Sequence, residues 1–597
     1  MKFVRWMLLG ISIVLLFGFL LPTTLNNLNN NPKTSMNLTS TLLTDPFLQL
    51  PTETSVRVVW FTEFLGAEHK VLYGDALDRQ SIANSIKLSR MSEDRESQTS
   101  QTYEQLTSRD IWRHEAIVEG LTPGKSVPYK VISQRKNGDR VEQIESKVFN
   151  LAAKPEPETP LKILLTSDHQ LMPMTAANLQ KVGETIGKID AVFVAGDLIN
   201  IPDRASEWFD DRRSGAFFPC LQGRASYALE KEGTKTVYKG AELIQNAPLF
   251  TAIGNHEVMG RFNLAKKLKQ QFEDAHPIAQ AEKKYRELQE QVNPRNNPQI
   301  KADWIRDNSF NTITYEEIFT LPESDVGGKQ YYAVTFGDVR LVVLYVTSLW
   351  RSPNLTPDTK GRYRESAQDL NNRDNWGYGQ VVFGDITKES PQYRWLEKEL
   401  NSEEFKQAKY KMVMFHHPPH TLGDNIVPPY TQPIPKIQTL ADGTVESVFY
   451  EYPIANDYII RDLEPLLESA AVNLVFYGHS HLWNRFVSPQ GMNFLETSNV
   501  GNSYGAYLGD KKRPVPTGEI NLERSNYKEV GDPNGLAAIL PTISPLANEK
   551  GQPQAYIASN DITAFSILDT GTGKISSYRF DTRKPNSEVI KFDEFDI

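Results

Sequence analysis

Short apolar runs that stop abruptly on polar, chemistry-bearing residues recur through the middle of this chain. Residues 161–166 lead into Ser167-Asp168-His169-Gln170, and 191–195 into Gly196-Asp197. Residues 248–253 lead into Gly254-Asn255-His256-Glu257, 410–415 into His416-His417-Pro418-Pro419, and 472–477 into Gly478-His479-Ser480-His481. Continuous apolar runs of this length predict strands buried on both faces, as in the parallel sheet of an α/β domain. Further strands are expected at 330–336 and 339–346, and helices over 392–400 and 462–469. A charged, solvated helical excursion is expected over about 261–292 and a Pro-rich loop over roughly 420–453. A closing hairpin is expected at 564–568 and 574–579, about Asp569-Thr570-Gly571-Thr572-Gly573.

Nearer the N-terminus the period changes to two. Alternating segments at 55–60, 70–74, 114–118 and 129–133, with the turn Leu121-Thr122-Pro123-Gly124, predict a β-sandwich over 45–151. The Pro-punctuated stretch 152–160 reads as a linker, and 161–590 as the larger α/β domain. Residues 1–22 place Lys2 and Arg5 before an apolar run from 6 to 21. This is the pattern of a signal anchor, with a cleaved signal peptide as the rival reading. The polar linker 23–44 follows. Basic residues ahead of the apolar run predict export of everything after it. The protein is then membrane-anchored facing the extracytoplasmic side, or secreted or periplasmic if the signal is cleaved.

At 597 residues the chain exceeds what one core supports. Its net charge of −9 and the lack of a basic, aromatic-interleaved tract argue against a nucleic-acid partner. Cys220 is the only cysteine, which excludes an intramolecular disulfide and a thiolate zinc cluster.

The candidate chemistry lies at the strand ends. Asp168 and Asp197, delivered side by side by parallel strands, repel each other unless a cation lies between them. Of ten histidines, four fall in two clusters directly after apolar strands, and His256 follows a third. Carboxylate, amide and imidazole donors suit Fe, Mn or Zn. His69 and His114, within the predicted sandwich, read as packing or surface residues.

Taken in order, Asp168, Gly196-Asp197, Gly254-Asn255-His256, His416 and Gly478-His479-Ser480-His481 resemble the calcineurin-like metallophosphoesterase superfamily. The segments 56–60, 71–74 and 114–124 look like the fibronectin type III-like front domain of purple acid phosphatases. The resemblance implies a four-layer αββα sandwich behind that β-sandwich. It also implies a dinuclear centre of two divalent or trivalent ions in which Asp197 bridges. Asp168 and His481 would hold the first ion, and Asn255, His416 and His479 the second. A metal-bridging hydroxide would attack a small-molecule phosphate ester, and His256 would protonate the leaving alkoxide or bind the phosphate. Two positions depart from the pattern. Asn200 stands where purple acid phosphatases carry a tyrosine ligand, and Gln170 where calcineurin-like relatives carry histidine. Either Gln170 ligates through its carbonyl oxygen, or the first site is weak or vestigial. Asn200 and His417 are candidate substrate contacts, with packing as the alternative for His417. The expected activity is phosphomonoester hydrolysis. Phosphodiester or nucleotide hydrolysis, and a membrane-anchored binding protein with a degenerate metal site, are the alternatives.

Overall fold

A computed structural model describes residues 42–138, 140–349, 361–423, 429–516 and 522–597. The expected signal anchor and nearly all of the polar linker lie outside the described residues. Among the described residues no helix is long and apolar enough to cross a membrane.

The period-two segments form two antiparallel sheets. One orders Phe47–Gln49, Ser55–Thr62, Trp112–Glu119 and Asn84–Lys87; the other orders Arg140–Glu145, Ser126–Asn137, Glu68–Tyr73 and Arg79–Ile82. Alternation sorts the side chains. Val56, Val58 and Trp60 meet Val71, Tyr129 and Val131 between the sheets, and Trp60 Nε1 donates across to Ser133 Oγ at 2.9 Å. From the same first sheet, Phe47 and Phe61 pack on Phe218, and Phe61 on Phe209, in the larger domain. The sandwich therefore shares a continuous core with the domain that follows.

His69 and His114 are packing residues, stacked with ring centroids 3.6 Å apart. Their ring nitrogens meet the hydroxyls of Ser133, Thr62 and Ser85. Burial pushes both imidazoles down, His114 to about 2. A histidine with a depressed folded pKa binds fewer protons folded than unfolded, so its stabilising contribution is lost as pH falls below about 6.5. We expect urea-unfolding free energies to drop by about 1.4 kcal/mol per pH unit for each such histidine below that point. His114→Gln should flatten the slope, and an unchanged slope would contradict a neutral buried pair.

The larger domain contains two mixed sheets. In the first, Lys162–Thr166, Ala191–Val194 and Leu249–Thr251 run parallel, extended by antiparallel Ile562–Asp569, Lys574–Asp581 and Ile590–Asp596. In the second, Val339–Val343, Tyr410–Met414, Leu474–Tyr477 and Asn493–Thr497 run parallel. Antiparallel Tyr332–Phe336 and Trp483–Val487 flank them. Met412, Met414, Leu474 and Phe476 share a core with Ile163, Leu165 and Val192 of the first sheet. The alternate residues Val413, Val475 and Tyr477 pack with Leu396 and Leu400 of helix Pro391–Leu400 and Leu467 of Glu464–Ser469. Helix Thr175–Ile186 buries Leu179 and Val182 in the first core. The layers run helix, sheet, sheet, helix.

Two expectations need correction. The excursion at 261–292 is not one helix but Leu268–Phe272 and Ile278–Val292, broken at His276-Pro277, where proline lacks the N–H that a continuous helix needs. The stretch read as a loop over 420–453 contains an antiparallel hairpin, Ile434–Thr439 with Val445–Glu451. Its first strand is exposed throughout, so it shows no alternation, and Pro435 sits there at an edge where a missing N–H is tolerated.

Candidate metal centre

Parallel strands expose their C-terminal ends together, and both sheets point theirs at one place. Asp168 and Asp197 come from the first sheet, His416 and His479 from the second. Ligand-type atoms of Asp197, His416 and His479 all lie within 4.8 Å of one another, as do those of Asp168, Asp197 and His481. Asp197 belongs to both groups, and all five side chains are buried.

Nε2 of His416 illustrates the crowding. It lies 3.2 Å from Asp197 Oδ2, 3.2 Å from Asn255 Oδ1 and 3.0 Å from His479 Nδ1. Its other nitrogen, Nδ1, lies 2.7 Å from the carbonyl of Ala195 and donates to it, which aims the Nε2 lone pair inward. On the other side, His481 Nε2 sits 3.4 Å from Asp168 Oδ1, and its Nδ1 lies 2.6 Å from Asn502 Oδ1. Asp168 accepts the His479 N–H at 2.9 Å, tying the two sheets' loops together.

Backbone strain is concentrated here. Asp168, Gln170, Asp197, His479 and His481 have φ of 54°, 39°, 55°, 83° and 53°, in the left-handed region that residues other than glycine avoid. Each costs on the order of 1 kcal/mol, and such strain clusters where a site over-determines the backbone. Close approach adds a further demand. A Cβ at Gly254 would collide with the Asp197 carboxylate, and one at Gly478 with that of Asp168.

Glu257, to which the sequence reading gave no role, holds the strained Asp197 turn. Its buried carboxylate accepts the N–H groups of Asp197 (2.8 Å), Leu198 (2.8 Å) and Gly254 (2.7 Å). Glu496 was missed as well. It accepts Ser480 N–H at 2.9 Å and the Thr421 hydroxyl at 2.8 Å, joining the two histidine-bearing loops. Glu257 was visible only as part of Asn-His-Glu, and nothing in the pattern marks Glu496 or Asn502.

The electrostatics favour a cation. Burial, and then Asp197 against the opposing His416, push the Asp168 carboxyl well above the usual range. Burial also works against ionised Asp197, yet His416 and His256 hold it down at about 2. Burial opposes the His416 imidazolium too, but Asp197 and then Asp168 raise it to about 9. Burial lowers His481 to about 4 and His479 well below the ordinary range, leaving both as neutral imidazoles, the form that binds metal. A cation among these groups would relieve the carboxylate repulsion and displace the His416 proton.

Gln170 supplies a further test of fit. Its Nε2 lies 3.1 Å from Asp197 Oδ2, while Oε1 is buried without a partner. A buried amide oxygen beside two carboxylates is the atom a cation would satisfy. Asn200 does not enter this cluster. Its Nδ2 donates to the Gln170 carbonyl at 2.8 Å, and its own carbonyl accepts from His256 Nδ1 at 2.7 Å. His256 is half-buried, stacks on Phe272 at 5.2 Å, and lines a cleft of about 420 Å³ with Asn200, Arg213 and Lys269. His417 has no exposed surface and packs between Tyr430 and His479, at 4.7 and 5.0 Å.

The partner of a ligating imidazole sets its orientation and basicity, and removing such a partner costs roughly 10- to 100-fold in metal affinity. Asn502→Ala should therefore weaken one of two metal-binding events by that factor in a competitive chelator titration. Unchanged affinity at both would contradict ligation by His481.

Comparison with known proteins places these features in context. The family model described as calcineurin-like phosphoesterase matches residues 161–482. The model for the N-terminal domain of purple acid phosphatase matches 44–152. No curated protein matches the chain. Among solved structures, a purple acid phosphatase from yellow lupin (Lupinus luteus) seeds is similar at 14% identity, over 92% of this chain and 73% of that one, with a TM-score of 0.49. GAP50, the anchor in the inner membrane complex of Plasmodium, is similar at 10% identity over 73% of this chain and 89% of that one, with a TM-score of 0.28.

Proposed function

Because the chain belongs to the calcineurin-like phosphoesterase family, we propose that it hydrolyses small phosphate monoesters at a two-metal centre whose ions share Asp197. The observation that carries this reading is the pair of buried donor groups with Asp197 common to both. Asp168, His481 and the Gln170 carbonyl oxygen would hold one ion, and His416, His479 and Asn255 the other. Bound there, the ions would supply Lewis acidity that polarises phosphoryl oxygens and acidifies water.

The protein's own part lies in orientation and proton transfer. His256 reaches the centre through its main chain, whose N–H donates to Asp197 Oδ1 at 3.0 Å. With Nδ1–H donated to Asn200, the second ring nitrogen is the one left for substrate. As an imidazolium it donates a proton to the leaving oxygen, and as a neutral ring it accepts from a protonated phosphate. Asn200 is then a positioning residue, fixing His256 by its carbonyl and the Gln170 backbone by its amide. His417 supports His479 from behind.

The test is steady-state hydrolysis of an aryl phosphate monoester and the corresponding diester by metal-loaded full-length protein, before and after chelation. We expect a higher kcat/KM on the monoester and loss of turnover on chelation, restored by adding metal back. Preference for the diester would overturn the substrate class. Full metal occupancy with no turnover of either ester would favour a binding protein built on the same site.

A further inference from the structure

A cleft of about 700 Å³ opens between helix Ile278–Val292, the segment 373–381 and the hairpin strand Ile434–Thr439. It takes no part in the chemistry above, and its volume is that of a small-molecule site. Gln380 lines it with no exposed surface, and both its amide oxygen and its amide nitrogen lack a hydrogen-bond partner. A fold does not ordinarily bury an entire unsatisfied amide, so the group calls for a ligand with both an acceptor and a donor.

The wall beside Gln380 is built to hold a shape. Buried Glu365 accepts the N–H groups of Gly377 at 2.7 Å and Tyr378 at 2.8 Å, and the Tyr450 hydroxyl at 2.6 Å. That clamp fixes Tyr378 at φ 56°, a left-handed conformation a tyrosine does not adopt unaided. Tyr378, Tyr450 and Trp376 give the cleft aromatic surface. Lys283 and Arg373 also line it, and neither has a carboxylate partner among the described residues.

We propose that this cleft binds a nucleotide, with the Gln380 amide pairing to the donor–acceptor edge of the base, the aromatic side chains packing on its ring, and Lys283 and Arg373 facing its phosphate. A glutamine amide matches a base edge in two hydrogen bonds, stacking on aromatic side chains accepts any base, and a cation pair meets the anion. Phosphate alone would have no use for the amide or the rings, and an apolar ring would leave the amide unsatisfied.

The test is a tryptophan-fluorescence titration of the metal-loaded full-length protein with a non-hydrolysable phosphonate analogue of adenosine monophosphate. Ribose 5-phosphate and inorganic phosphate are titrated alongside. We expect saturable binding of the nucleotide analogue at least about tenfold tighter than ribose 5-phosphate, because bidentate base contacts discriminate by roughly that factor or more. Gln380→Leu should weaken nucleotide binding at least about tenfold while raising Tm, since an apolar side chain removes the unsatisfied amide. Lys283→Glu, at a surface position, should weaken binding without changing Tm. No binding at millimolar nucleotide, equal affinity for ribose 5-phosphate, or affinity unmoved by both substitutions would each overturn the proposal. The aryl phosphate assay is independent, so its failure leaves this titration decisive in either direction.

Discussion

Asp197→Ala should strip the protein of both metal ions and lower kcat/KM toward an aryl phosphate by at least about four orders of magnitude. The size follows from what one carboxylate does here. Lewis-acid stabilisation of a phosphoryl transfer contributes several kcal/mol, and each ~1.4 kcal/mol is tenfold in rate. Asp197 is common to both donor groups, so no other single residue touches both halves of the centre. The substitution also leaves His416 beside Asp168 without the carboxylate that most strongly raises its pKa. Asp197→Asn separates chemistry from folding, because its amide oxygen still accepts the His256 N–H while its charge is gone. Loss of metal from both variants, with Tm held in the Asn variant, is the expected outcome. Activity within tenfold of wild type in Asp197→Asn would contradict a shared bridging carboxylate.

His256→Ala should behave in the opposite way. Metal content stays at the wild-type value, because no ring nitrogen of His256 belongs to either donor group. The value of kcat falls by roughly 10²- to 10⁴-fold, the range for removing a positioned general acid. The loss should shrink with the leaving group's basicity: a nitrophenolate departs without protonation, an alkoxide does not. A uniform loss across leaving groups would assign His256 to phosphate binding instead. Asn200→Asp leaves the main-chain carbonyl that holds His256 Nδ1 in place, so it should cost far less than His256→Ala.

The strand ends were legible for a physical reason. A strand buried on both faces is written as an unbroken apolar run, and the first polar residue after it marks where the sheet meets solvent or ligand. Asp168, Asp197, Asn255, His416 and His479 were read that way, and the structure gathers them. The exposed strand at 434–439 carries no burial pattern and was read as loop. The roles of Glu257, Glu496 and Asn502 stayed hidden because they depend on which backbone N–H or imidazole nitrogen each side chain meets. No periodicity encodes such long-range pairings. Asn200 was read as a substrate contact or replacement ligand, but the structure gives its amide to Gln170. Gln380 sits among aromatic and polar residues with no strand or helix period to flag its buried amide.

Anomalous diffraction from crystals of the metal-loaded protein, collected at the absorption edge of the bound metal, tests the central claim most directly. The account predicts two peaks about 3.5–4 Å apart on either side of the Asp197 carboxylate. One should lie among Asp168, Gln170 and His481, the other among Asn255, His416 and His479. A single peak, or a pair in which Asp197 contacts only one ion, would contradict it.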